Sequence, residues 1–131
     1  MKKKLIVLGL ATGLLTTAGI GQAMMTGFNE NVGAYNGSAY TDWKSDPTDN
    51  DLYVRVNVEN VGGSYTVDVR DNMKKISNGA TDNTAWVRSV GDQTAWRWQG
   101  SRTGAYKDRI EFSNDLTTPV TVNVYGSWDD L

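Results

Sequence analysis

The chain of 131 residues has no cysteine and no histidine. Without cysteine there are no disulfides, no thiol redox chemistry and no lipid attached through a cysteine. With histidine also missing, Ser-His-Asp and Cys-His nucleophile systems and the usual zinc ligand sets are excluded. No glycine-rich phosphate loop occurs, because the one Gly-Gly pair, Gly62-Gly63, precedes a strand pattern and not a helix. Helical periodicity is missing beyond the N-terminal segment, apart from a turn near Asn72 to Ser77. Stability must therefore come from packing, with a bound metal as the remaining supplement. Five Trp and six Tyr provide large areas to bury.

The N-terminus points to export. Met1-Lys2-Lys3-Lys4 is a short basic region, and Leu5 to Ile20 is an apolar run broken only by small residues and Thr. Gly21-Gln22-Ala23 then places small residues where signal peptidase reads them. The apolar run is shorter than the roughly 20 residues of a spanning helix, so residues 1–23 are expected to be a cleaved signal helix, with no stable membrane insertion afterwards. Cleavage after Ala23 removes three lysines and leaves 10 basic against 15 acidic residues, a balance of −5. A protein of that charge is repelled by nucleic acid and by anionic lipid. Export without cysteine fits a Gram-positive surface better than an oxidising periplasm.

One domain is expected after the signal. Residues 24–51 are rich in Gly, Asn, Asp and Ser and read as an irregular segment with at most one strand, ending in the loop SDPTDND. From Leu52 onward, period-two alternation predicts an antiparallel β-domain over 52–131. LYVRVNV puts Leu52, Val54, Val56 and Val58 on one face, and YTVDVR does the same with Tyr65, Val67 and Val69. Gly62-Gly63 between them predicts a hairpin pairing Val58 with Val67 and Val56 with Val69. Arg55 would then face Arg70, with a carboxylate nearby. The repeat DNTAW…DQTAW suggests a second hairpin turning at Gly91-Asp92. It pairs Val87 with Trp96 and sends Trp96 and Trp98 to the core, leaving Trp86 on a polar face under Arg97. KDRIEFS and PVTVNVY supply two more strands, the last with Val120, Val122 and Val124 inward. Six or seven short strands predict an all-β antiparallel sandwich or small barrel.

Three chemistries remain for a site. Exposed Trp and Tyr are flat platforms for sugar rings. Trp86, Tyr53, Trp43 and Trp128 are the candidates, with Arg88 and Arg97 for hydroxyls and core packing as the competing role. Asp46, Asp49 and Asp51 share one loop and offer oxygen ligands to Ca²⁺, although their spacing is not that of an EF-hand. The carboxylate pairs Asp108/Glu111 and Asp129/Asp130 are the only route to hydrolysis of a glycan, which needs two acids across a cleft. The aromatic reading is preferred, which makes the protein an extracellular, non-catalytic binding module. A glycan or cell-wall polymer is the leading ligand class, and a protein partner is the alternative.

The ending, a strand followed by GSWDD, resembles a family of small secreted proteins of Gram-positive bacteria with no established function. Those proteins share the Lys-rich signal, the absence of Cys and a closing Gly-x-Trp-Asp-acidic stretch. The distinctive match covers Thr118 to Asp130 and implies a secreted β-domain without catalytic residues. A looser resemblance is to precursors of secreted bacteriocins of the lactococcin type, which implies an antagonist role. Those are typically cationic or carry His, whereas this chain is acidic and has none.

Overall fold

The alternating valine rows are realised as ten strands in a computed structural model that describes residues 25–45, 53–99 and 106–130. In chain order they are β1 (Thr26–Val32), β2 (Ser38–Tyr40), β3 (Lys44–Ser45), β4 (Tyr53–Val61) and β5 (Val67–Lys75), then β6 (Thr81–Asn83), β7 (Val87–Val90), β8 (Thr94–Gln99), β9 (Tyr106–Ser113) and β10 (Val122–Asp130). The signal segment, Leu52 and the calcium candidates Asp46, Asp49 and Asp51 lie outside the described residues.

Two antiparallel sheets pack face to face as a sandwich and do not close into a barrel. Sheet A has the order β1-β10-β4-β8 and sheet B the order β2-β9-β5-β6. β3 continues the β2 edge along β9, and β7 continues the β6 edge along β5, so each sheet is four strands wide. The chain changes sheet at every connection except those joining β2 to β3 and β5 through β7. This is the double-sheet arrangement of a jelly roll. The segment 26–45, expected to be irregular, supplies three of the strands. Gly, Asn and Ser in TGFNENV lower its β-propensity, but seven register pairs with β10 and the burial of Phe28 and Val32 override it.

Neither expected hairpin forms. β4 and β5 lie in different sheets, and the Gly62-Gly63 turn is a corner between them. Gly63 takes φ 66°, as a tight corner requires. β7 pairs with β5 and β8 with β4, so the chain also changes sheet at Gly91–Gln93. There the Val61 N–H donates to the Asp92 carboxylate at 2.6 Å, tying the two corners together. Val54, Val56, Val58, Val67 and Val69 face the core as expected. Val56 and Val58 do look toward Val67 and Val69, but across the sandwich and not within one sheet. Arg55 and Arg70 consequently never face each other. Arg55 reaches Asp129 and Arg70 reaches Glu111.

Val54, Val56, Val58, Val122, Val124 and Trp128 of sheet A meet Val67, Val69, Ile110 and Phe112 of sheet B. Full burial stabilises each such side chain by roughly 1.5–3 kcal/mol. A bulge in β4 opposite Tyr125/Gly126 adds one residue, which returns Val61 to the core face. Val120 precedes β10 and is exposed, contrary to its expected inward position. Trp96 does share the inward row with Val56. It sits on the edge strand, however, and stays 48% exposed, while Trp98 packs partly against the core.

GSWDD is a structural ending. Gly126 passes so close to β4 that a Cβ would overlap the Asn57 carbonyl oxygen. Trp128 is 2% exposed. Asp129 accepts from Lys44 of sheet B at 2.6 Å and Arg55 of sheet A at 3.4 Å, joining the sheets. Gly126→Ala should cost about 3 kcal/mol by forced overpacking, and Trp128→Ala about 3–5 kcal/mol. Trp96→Ala should cost less than about 1 kcal/mol. Urea unfolding midpoints of the three variants check this order.

Candidate functional site

Strand parity sends Asp68, Arg70, Asn72 and Lys74 of β5 to the outer face of sheet B, beside Lys107, Arg109 and Glu111 of β9. Tyr40 of β2 pairs with Glu111, and Asn83 of β6 pairs with Asn72. A row of aromatic, amide, carboxylate and guanidinium groups therefore runs across four adjoining strands.

The row is held by Glu111. Its Oε2 accepts from Arg70 Nε at 2.5 Å and from Asn72 Nδ2 at 2.7 Å, and its Oε1 accepts from the Tyr40 hydroxyl at 3.3 Å. Asn72 Nδ2 also donates to Asn83 Oδ1 at 2.8 Å, while Asn72 Oδ1 accepts from Arg109 Nε at 3.2 Å. Those partners fix the Asn72 amide orientation. Arg109 in turn lies 4.0 Å from the Tyr40 ring centroid and 4.4 Å from that of Trp43. Arg70 lies 4.2 Å from the Trp86 centroid. Each stack contributes about 0.5–1 kcal/mol where exposed. Arg88, 5.8 Å from the same ring, pairs with Asp68, whose other oxygen accepts the Ser89 N–H at 3.0 Å.

Tyr40 and Trp43 remain 41% and 38% exposed, rimming a recess of about 250 Å³ floored by Asn72, Asn83 and Glu111. That is smaller than the pockets that enclose drug-sized ligands. It suits one ring of an extended polymer lying on the sheet. Burial alone would push the Glu111 carboxyl up. The hydrogen bonds from Arg70 and Asn72, the Arg70 charge and the Tyr40 hydroxyl outweigh it and hold the group below the ordinary carboxylate range.

The candidate residues are dispersed over three places. Trp86 and Arg88 belong to this face. Trp86 is on a polar surface as expected, but the guanidinium on its ring is that of Arg70, because Arg97 is in the other sheet. Arg97 stacks on Tyr53 at 4.9 Å on the outer face of sheet A. The recess there is larger, about 420 Å³, with Trp96 at its edge. Its size does not make it the better site, since no carboxylate is among the described residues lining it and Arg55 is turned to Asp129. Trp128 is in the core and unavailable to a ligand. Tyr40, Asn72, Asn83 and Arg109 carried no expectation as site residues, and Glu111 was expected only as one half of a hydrolytic pair with Asp108. The alternate positions of VDVRDNMKK and KDRIEF contained the signal, a polar row on each of two strands that turn out to be neighbours. Asp108 shares the inward row with Ile110, so it and Glu111 occupy opposite faces of β9 and do not flank one cleft.

A second acidic position lies in a cleft of about 190 Å³ between β1 and the β2–β3 edge, where burial and the nearby Asp42 charge push Glu30 up. Among the described residues no group of acids is arranged to hold a metal ion, and no helix is long and apolar enough to cross a membrane. The sequence matches no known family model and no curated protein.

Because Glu111 is held below its unfolded value, its stabilisation is fully present above about pH 4.3, the ordinary Glu value. It is lost as pH falls through the lower folded value. Glu111→Gln should lower stability at pH 7 by about 1–3 kcal/mol, and the gap to the unaltered protein should narrow progressively below pH 4. Urea unfolding across pH 2–7 checks both.

Proposed function

We propose that the protein is a secreted, non-catalytic binding module that takes a glycan or cell-wall polymer on the outer face of sheet B. One observation carries the reading. Two half-exposed aromatic rings flank a recess whose floor offers fixed amide and carboxylate groups at hydrogen-bonding distance from one another. Aromatic surface gives a sugar ring an apolar face to rest on, and amide, carboxylate and guanidinium groups satisfy hydroxyls. Glu111 supports a binding role over an acid–base role, because it is ionised and already engaged by Arg70, Asn72 and Tyr40. The basic and apolar N-terminal residues support export. Jelly rolls include lectins, which agrees with the reading by analogy of fold alone.

Affinity electrophoresis of the purified protein through gels containing neutral and charged polysaccharides tests it. Trp43→Ala and Tyr40→Ala should each weaken retention at least tenfold, about 1.4 kcal/mol, and Trp96→Ala should leave it unchanged. Retention lost only in Trp96→Ala would move the site to sheet A. No retention of the unaltered protein by any polysaccharide would remove the glycan reading.

A further inference from the structure

Seven of the nine described Lys and Arg residues belong to strands of sheet B, and only Arg55 and Arg97 belong to sheet A. The outward rows of β5, β7 and β9 hold five cations, Arg70, Lys74, Arg88, Lys107 and Arg109, against the two carboxylates Asp68 and Glu111. The net charge of the chain conceals this face. Beyond the aromatic recess, Lys74, Lys75 and Lys107 surround a second one of about 200 Å³, walled by Trp43 and Ile76. Trp43 lines both, so the two recesses lie on either side of one ring. From Lys74 back to Arg70 the residues lining the two recesses extend along β5 for about 14 Å, four residues at roughly 3.4 Å each.

Among the described residues, no packing or ion pair of the fold accounts for these lysines. Lys74 and Lys107 are direct cross-strand partners, and like charges placed opposite each other are destabilising. None of the three forms a salt bridge among the described residues, whereas Lys44, Arg55, Arg70 and Arg88 each do. Cations around an aromatic recess that have no ion-pair partner among the described residues attract an anionic group and focus the local field on it.

Resting on the binding-module reading, we infer that the ligand is an anionic glycopolymer. Its sugar rings lie on Tyr40 and Trp43, and its carboxylate or phosphodiester groups lie against Lys74, Lys75 and Lys107. Glu111 and Asp68 on the same face disfavour nucleic acid, whose charge density of one phosphate per roughly 1.7 Å of duplex would bring phosphates onto both acids. A glycopolymer with sparser charge has hydroxyls to offer there.

The test measures binding of the purified protein to polygalacturonate, poly(glycerol phosphate), neutral dextran and duplex DNA at 0.05 and 0.5 M salt. The charge-reversed double variant Lys74→Glu/Lys107→Glu is measured alongside, with a thermal melt to show that these exposed changes leave it folded. At least one anionic polymer should bind tenfold or more tighter than dextran at low salt. High salt or the double variant should abolish that advantage, leaving dextran binding as it was. The preference between the carboxylate and phosphate polymers identifies the anionic group. Equal binding of dextran and both anionic polymers, or an undiminished preference in the variant, overturns the anionic assignment and leaves the binding module standing. DNA binding as tight as the best glycopolymer overturns the glycopolymer assignment. Failure of every polymer to bind overturns both readings.

Discussion

The outer face of sheet B hangs on one carboxylate. Glu111 is 5% exposed, although its strand parity sends it away from the core. It is buried by its own partners, Arg70, Asn72 and Tyr40, which fold over it. A buried charge is tolerated only when paired and hydrogen-bonded, so Glu111 dictates where those three side chains rest. Each then fixes another group: Arg70 lies on Trp86, and Asn72 orients both Asn83 and Arg109. Arg109 then occupies the space beside Tyr40 and Trp43. A side chain with no stack of its own thereby positions every aromatic ring of the face.

The sandwich beneath holds in place the strands that carry this face. Its inner slab is filled by the valine rows, Ile110, Phe28, Phe112 and Trp128, with the two Phe rings 4.9 Å apart. Asn114 locks one end, donating from a buried amide to the carbonyls of Val32 and Gly33. Asp129 locks the other by taking one cation from each sheet. With the sheets fixed, the outward rows of β5 and β9 are held in register with each other. Rigid elements preorganise a binding face and reduce what ligand association must spend on ordering.

Strands and their buried faces were legible in the residues because period two is a local property. Val54, Val56, Val58, Val67 and Val69 identify themselves. Neighbour relations were not legible. Two valine rows separated by a glycine turn satisfy a hairpin and a sheet-changing corner equally well, since both direct the valines to the same core. The doubled TAW motif misled in the same way, implying a pair where β7 and β8 belong to opposite sheets. Trp86 was recognisable as surface-facing, but its partner was not, because Arg70 and Arg97 fit the composition equally. Glu111 stood out only as a hydrolytic companion of Asp108, because the partners that set its role, Arg70, Asn72 and Tyr40, come from neighbouring strands. Net charge misled most, averaging an acidic chain over a face that is basic.

The central claim is that the ligand face is the outside of sheet B. Chemical-shift mapping with isotopically labelled protein and an oligogalacturonate probe tests it most directly. The account predicts shifts in the amides of residues 68–74 and 107–111 and in the indole N–H groups of Trp43 and Trp86, with Tyr53 and Ala95 to Arg97 silent. Shifts confined to the recess around Tyr53, Trp96 and Arg97, with β5 and β9 unmoved, would contradict it.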